Sequence, residues 1–341
     1  MPKLLIVGEA WGRHEAEAKR PFVGPSGRLL RALLSHAGIN RGDYEVTNCF
    51  NLQPRPTNDI SNLCGPRNEA GRYPYRLAPG KYLRAEFDNE IDRLWQEIDG
   101  AKPNLILALG NIALTILDGG RKASISKSRG TLVLLPRGDR QLKILPTYHP
   151  AALLREFSLR QVVLMDLRKA ARHMQSPDFA RPSRSLWLEP SLEDLARFED
   201  KHIIPEIDKP WGVDIETKSG TITEIGFSRP HIGVVIPFWS RAQADGNYWR
   251  RAGDEWAAWT IVASWLRVLR LPIFQNGLYD LNYLARMAIF PRYAGEDTML
   301  LIHAINPESK KGLGFLGSIC TDEPSWKFMR SDTDKLKKED E

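Results

Sequence analysis

The 341-residue chain is 42% hydrophobic and 26% charged, as in ordinary globular domains, and its length exceeds what one core usually serves, so two domains are expected. No run of about 18 apolar residues occurs, which argues against a membrane-spanning helix. Residues 1–8 are too short in their apolar part for a secretory signal, and three widely spaced cysteines (Cys49, Cys64 and Cys320) argue against a disulfide framework or a cysteine metal site and fit a reducing cytoplasm. A net charge of +6 and a pI near 9.1 admit a polyanionic partner without requiring one.

The first 175 residues alternate strand and helix patterns. Residues 3–8 form an apolar strand, and residues 26–37 a helix with Leu29, Leu30, Leu33 and Leu34 on one face and Gly38 as its stop. A second strand covers 44–48. Residues 50–80, rich in Pro, Asn, Gly and Arg, are expected to be a long loop. Leu83, Phe87, Ile91, Leu94 and Ile98 then recur at helical spacing. Short strands over 104–109, 131–135 and 142–146 precede a helix over 160–174. This alternation predicts a largely parallel sheet covered by helices on both faces. Prolines at 177, 182 and 190 mark residues 176–204 as a linker. Beyond 205, three consecutive strands (211–216, 221–227 and 232–238), a helix over 255–269, a strand over 272–275 and a helix over 278–287 predict a mixed sheet. The last ~20 residues, charged and poor in apolar groups, are expected to be solvated.

Ligands of a parallel α/β sheet bind beyond the carboxyl ends of its strands. Glu9, Asn48 and His149 all fall at such ends, so a carboxylate, an amide and an imidazole share one rim. Alternatively, each caps a neighbouring helix or satisfies a strand end. Four segments carry a resemblance: Gly8-Glu9-Ala10-Trp11-Gly12 with Arg20-Pro21-Phe22-Val23-Gly24-Pro25-Ser26-Gly27; Thr47-Asn48 with Pro54-Arg55-Pro56-Thr57-Asn58; Leu109-Gly110-Asn111-Ile112-Ala113; and Thr147-Tyr148-His149-Pro150-Ala151 through Arg155. In this order they resemble the motifs of uracil-DNA glycosylases, in the branch often called family 4. The resemblance implies an α/β/α domain over 1–175 that removes uracil from DNA. It implies that Asn48 reads the edge of the uracil, Phe22 stacks on the flipped ring, and His149 stabilises charge growing on the uracil oxygen. It further implies that Glu9 positions the attacking water or stabilises the sugar cation, and that Gly8, Gly12, Gly24 and Arg155 meet the DNA. Two departures stand out. Trp11 replaces a usual proline. The four cysteines that hold an iron–sulfur cluster in many members are missing, with residues 83–86 occupying a stretch where a cysteine is common, so no cluster is expected.

In the second half, Asp214 and Glu216 stand two apart on a strand and so face the same side, where like charges are commonly relieved by a divalent cation. An edge strand with a polar face is the plainer alternative. With Asp280 in the run Asn276-Gly277-Leu278-Tyr279-Asp280, and with Asp297 opening a later helix, these acids resemble the DEDD-type 3′–5′ exonuclease domain of family A DNA polymerases. That resemblance implies a ribonuclease H-like domain over 205–341, with Asp214, Glu216 and Asp280 holding Mg²⁺ or Mn²⁺, Asn276 in support and Asp297 capping its helix. It also exposes a gap: no tyrosine occurs after residue 300, so the Tyr-x-x-x-Asp that completes such sites is missing, and Asp332 and Asp334 lie in a charged tail. The expectation is an incomplete exonuclease domain in the N-terminal part of a phage-like polymerase, or in half of a split one, with DNA and a polymerase portion as partners. Three readings stay open: a uracil-DNA glycosylase, a non-catalytic DNA-binding module, and an exonuclease completed by a partner chain.

Overall fold

The computed structural model describes residues 3–120 and 124–323, so Asp332, Asp334 and most of the charged tail lie outside the described residues. The chain divides into two compact units. The first runs to Arg181 and resumes at Gly314, and the second is Pro182–Leu313.

The first unit begins with β1 (Leu4–Ala10), α1 (Arg13–Ala18), α2 (Pro25–His36) and β2 (Tyr44–Phe50). Then come the short strands β3 (Cys64–Gly65) and β4 (Tyr82–Leu83), followed by α3 (Asp88–Ala101), β5 (Leu105–Leu109), α4 (Gly110–Leu117) and α5 (Ile125–Ser128). It continues with β6 (Val133–Arg137), β7 (Arg140–Thr147), α6 (Pro150–Arg155) and α7 (Leu159–His173). The main sheet has the order β2-β1-β5-β7-β6, parallel except for the edge strand β6. Its inner strands β1 and β5 are apolar along most of their length because both faces are buried. On β1, Leu5 and Val7 join the core built by Ile91, Leu94 and Ile98 of α3 and Ile112 and Ile116 of α4. Leu4 and Ile6 join the opposite core, with Leu30, Leu33 and Leu34 of α2 and Val163, Leu167 and Ala170 of α7.

The 50–80 segment is more ordered than its composition suggests. Ile60, Leu63, Cys64, Tyr75 and Leu77 sink into the α3–α4 core. Leu83, expected on the helix, instead lies fully buried on β4 opposite Cys64, and α3 starts only at Asp88. Burial in this hairpin outweighs the helical spacing that Leu83 shares with Phe87 and Ile91.

The second unit contains β8 (Ser185–Leu188), α8 (Leu192–Phe198), β9 (Pro210–Lys218), β10 (Thr221–Arg229), β11 (Ile232–Pro237), α9 (Ala252–Val268), β12 (Leu271–Phe274), α10 (Leu278–Arg286), β13 (Glu296–Asp297) and α11 (Thr298–Ile305). Its sheet order is β13-β12-β9-β10-β11-β8. The strands β9, β10 and β11 form an antiparallel meander. Beside it, β12 runs parallel to β9 and β13 parallel to β12. Ser219 and Gly220, both at positive φ, turn β9 into β10 as a two-residue hairpin of the type whose twist matches the strands.

The expected linker 176–204 is corrected here. Within it, β8 pairs parallel with β11 and α8 opens on a Ser191–Asp194 capping box. Leu195, Phe198 and Ile203 join Trp211, Phe227 and Trp265 in the core. The prolines flank these short elements rather than a free tether. A second correction concerns the C-terminal boundary. Residues 314–323, expected in the second domain, belong to the first unit, where α12 (Leu313–Cys320) brings Phe315 and Ser318 onto Arg129.

Candidate active site

Parallel pairing aligns the carboxyl ends of the central strands. Gly8 on β1 stands in register with Asn48 on β2, and Leu109 on β5 with Thr147 on β7, two residues before His149. Where these ends meet lies a cavity of about 390 Å³, lined among others by Glu9, Phe22, Asn48, Asn58, His149 and Arg155. Gly12 also lines it. Gly8 packs against two of the lining side chains: a Cβ there would strike the Asn48 Oδ1 and come within 2.6 Å of Phe22 Cζ. Only a bare backbone lets the amide and the ring close over β1.

Phe22 is 6% exposed and sits at φ 55°, a strained conformation for an aromatic residue. Two features hold it. Arg31 donates to its carbonyl at 2.8 Å, and Gly27 leaves room for that carbonyl where any Cβ would collide with it. The ring centroids of Phe22 and His149 are 6.2 Å apart, with their planes 31° from each other. Gly24 acts at one remove: its N–H donates to Glu15 Oε1 at 2.8 Å, which fixes a buried carboxylate against the cavity wall.

His149 combines a capping position with a place in the cavity wall. It caps α6, accepting the Ala151 N–H on Nδ1 at 3.2 Å, and it faces the cavity. With Nδ1 an acceptor, the neutral ring carries its proton on Nε2. Burial lowers the imidazole pKa from 6.5 to about 4. Glu15's charge opposes that shift and Arg155's adds to it. Near neutrality the ring is therefore an uncharged Nε2–H donor. Glu9 is half-buried, and burial first, then the charge of Asp59, lifts its carboxyl above the usual range. The Asn48 carbonyl is clamped by Arg93 at 2.8 Å, and Arg93 also grips the Cys49 carbonyl and pairs with Glu97.

Sequence reasoning missed Glu15 and Arg93. Glu15 lies on a helix of only six residues, too short for periodicity to flag it. Arg93 sits on α3 and reads there as a solvated helix charge.

The residues do not fit a four-cysteine cluster. The chain has three cysteines. Cys49 and Cys64 are buried in an apolar core, burial pushes both thiols up, and the strand position opposite Cys64 is Leu83.

In the second unit, Val213 and Ile215 point into the core while Asp214 and Glu216 share the exposed face of β9. Asp280, 3% exposed in the first turn of α10, turns Oδ1 onto the Ile215 N–H at 3.1 Å. Burial pushes its carboxyl up to about 6, the charges of Asp214 and Asp297 adding and the backbone bond opposing. Burial and then Glu216's charge raise Asp214 as well. Asp297 caps α11 and accepts the backbone N–H groups of Asn276, Gly277, Met299 and Leu300. These four bonds outweigh its burial and hold it below the usual carboxylate range. Among the described residues, no three His, Cys, Asp or Glu side chains gather as a metal cage. The structure therefore brings Asp280 against the strand of Asp214 and Glu216, but the three do not fit a bound divalent ion as arranged.

Residues 1–170 match the family model of the uracil DNA glycosylase superfamily. The chain is similar to the type-4 uracil-DNA glycosylase of Thermotoga maritima, 35% identical over 170 residues that span 49% of this chain and 76% of that protein. It is likewise similar to the type-4 uracil-DNA glycosylase of Pyrobaculum aerophilum, 36% identical over 167 residues (48% and 74%). A DNA polymerase of Bacillus phage SP01 is 24% identical over 165 residues, 48% of this chain but 15% of that protein. With the strand-end cavity in place and relatives of this identity covered over about three quarters of their length, the chain belongs to the uracil DNA glycosylase superfamily.

Proposed function

We propose that the first unit hydrolyses the N-glycosidic bond of uracil in DNA. The observation that carries this function is the convergence of Phe22, Asn48 and His149 on one cavity at the strand ends. A base inside a duplex is out of reach, so the substrate nucleotide is extruded or single-stranded. The Phe22 ring covers the extruded base. The Asn48 side chain offers both a donor and an acceptor, which matches the edge of uracil and mismatches cytosine. As the bond breaks, negative charge grows on the uracil oxygen. The neutral His149 Nε2–H donates to it, so the charge is met by a donor already in place. Glu9, on the same wall, orients water or stabilises the cationic sugar. Gly12 lets the DNA approach the backbone closely, and Arg155 supplies a cation for a phosphate.

The test is a single-stranded oligonucleotide with one uracil, incubated without metal and then treated with alkali. Breakage at the uracil is expected. An oligonucleotide that stays intact yet bound would overturn excision in favour of a non-catalytic DNA-binding module.

For the second unit we propose a ribonuclease H-like module akin to polymerase proofreading domains. The strand order supports it: an antiparallel meander whose first strand is extended outward by β12 and then β13, both parallel, with acids on that first strand and on the helix after β12. Its role would be to hold a DNA 3′ end or to dock a polymerase portion. Mg²⁺-dependent shortening of a 3′ end by the isolated chain, lost in Asp214→Ala, would instead establish nuclease activity.

A further inference from the structure

Behind the rim of the cavity lies a buried polar cluster that the proposed chemistry does not use. Arg129, Asp166 and Lys169 are each no more than 3% exposed. Arg129 forms a bidentate pair with Asp166, its Nε donating at 2.9 Å. The second Asp166 interaction runs toward the site: Thr147 Oγ1 donates to Oδ2 at 2.7 Å, and Thr147 is the last residue of β7, two before His149. The cluster is completed by the returning chain. Ser318 Oγ accepts from Arg129 at 3.0 Å, and the Phe315 ring lies 5.1 Å from its guanidinium. Lys169 Nζ donates to the carbonyls of Gly130, Ser318 and Thr321, so all three of its hydrogens are used and two of them are answered by that segment. Gly130, at φ 72°, is wedged in the middle: a Cβ there would come within 2.7 Å of Asp166 Oδ1 and 3.0 Å of the Ser318 carbonyl. Its N–H holds the Pro146 carbonyl on β7 at 2.9 Å.

We propose that Asp166 is a positioning residue for His149 and that residues 315–321 lock it in place, so the imidazole's setting in the cavity depends on chain that follows the second unit in sequence. The relay is short. The segment fixes Arg129 and Lys169, Arg129 fixes both Asp166 oxygens, Asp166 fixes the Thr147 hydroxyl, and Thr147 fixes the strand end from which His149 departs. Removing one link leaves buried charges short of partners, and the strand end shifts to relieve them. In its catalytic consequence this inference rests on uracil excision as proposed above. In its structural content it does not.

The test uses the intact chain with Thr147→Val, Thr147→Ser, Ser318→Ala and Phe315→Ala. Two readouts are followed: the ¹H–¹⁵N ring resonances of His149, and single-turnover excision over a range of DNA concentrations. Thr147→Val and Ser318→Ala are expected to move the His149 ring signals. They should lower the saturating excision rate by about tenfold, the scale of a small misplacement of a reacting group. The half-saturating DNA concentration should stay within about twofold, since binding is not what is lost. Phe315→Ala should follow Ser318→Ala, and Thr147→Ser should behave as the parent does. Unmoved ring signals in either Thr147→Val or Ser318→Ala would overturn the inference. So would a Thr147→Ser variant as impaired as Thr147→Val, which would make the effect one of packing. Should Thr147→Val fail to fold, Ser318→Ala and Phe315→Ala decide. If the parent chain excises nothing, the ring signals decide alone, and the failure falls on the excision reading.

Discussion

At the scale of single residues, the site depends on places where a side chain is absent or a proton is withheld. Gly8→Ala puts a methyl group where the Asn48 amide and the Phe22 ring already meet. We predict a loss of excision of about a hundredfold with little change in urea unfolding, because the displaced groups line a cavity rather than a core. His149 supplies a second prediction. Its folded pKa, about 4, lies below the unfolded value of 6.5. The native state therefore resists protonation, and its advantage is full above pH 6.5 and lost as pH falls toward 4. NMR should show the ring untitrated between pH 8 and 5. The parent should lose stability relative to His149→Gln across the acid window, and a ring that titrates near 6.5 would contradict the burial described. Glu9, Asn48 and His149 were legible in the sequence because the strand patterns put all three at strand ends, whereas Phe22 was legible only through the motif resemblance. Glu15 was not, since its importance comes from the Gly24 N–H brought to it by a turn.

Among the elements, the parallel sheet could be read from its apolar runs, and the meander of the second unit from three alternating segments with short turns. The misreadings were local patterns overruled by burial. Leu83 shares a helical spacing with Phe87 and Ile91, yet the loop before it needs an apolar partner for Cys64 and Tyr75, and Leu83 provides it. Leu83→Ala should therefore cost about 2–5 kcal/mol in chemical denaturation, the range for emptying a fully buried leucine site. A surface helix position would cost far less. Ser185–Leu188 is the exception: it became a strand by edge pairing with β11 while Leu186 and Leu188 stay exposed, and it is too short and too close to prolines to announce itself. Its partner strand β11 lies some fifty residues on, so no local pattern could identify the pairing.

For the whole molecule, the feature invisible to sequence was the return of the chain to its first unit. The apolar, glycine-bearing stretch around Leu313–Cys320 reads as a continuation of the second domain. Its partners, Arg129 and Lys169, look like surface cations until Ser318 and Thr321 are seen against them. A buried ion pair deprived of one member is costly, so Asp166→Ala should destabilise the first unit by about 3–5 kcal/mol. Arg129→Met combined with Asp166→Leu should recover much of that loss, because neither charge is then left alone. Calorimetry on the two variants checks both signs.

The discontinuous first unit also bears on how the polypeptide is made. On a translating ribosome its N-terminal half emerges early, with the Lys169 ammonium group still lacking the two carbonyl oxygens that Ser318 and Thr321 contribute. Pro182–Leu313 is complete in sequence before those acceptors appear. The portion synthesised first is thus the last to be finished, and nascent chains stalled ahead of Gly314 should be cut by protease within residues 1–181 far faster than chains stalled well past Asp322.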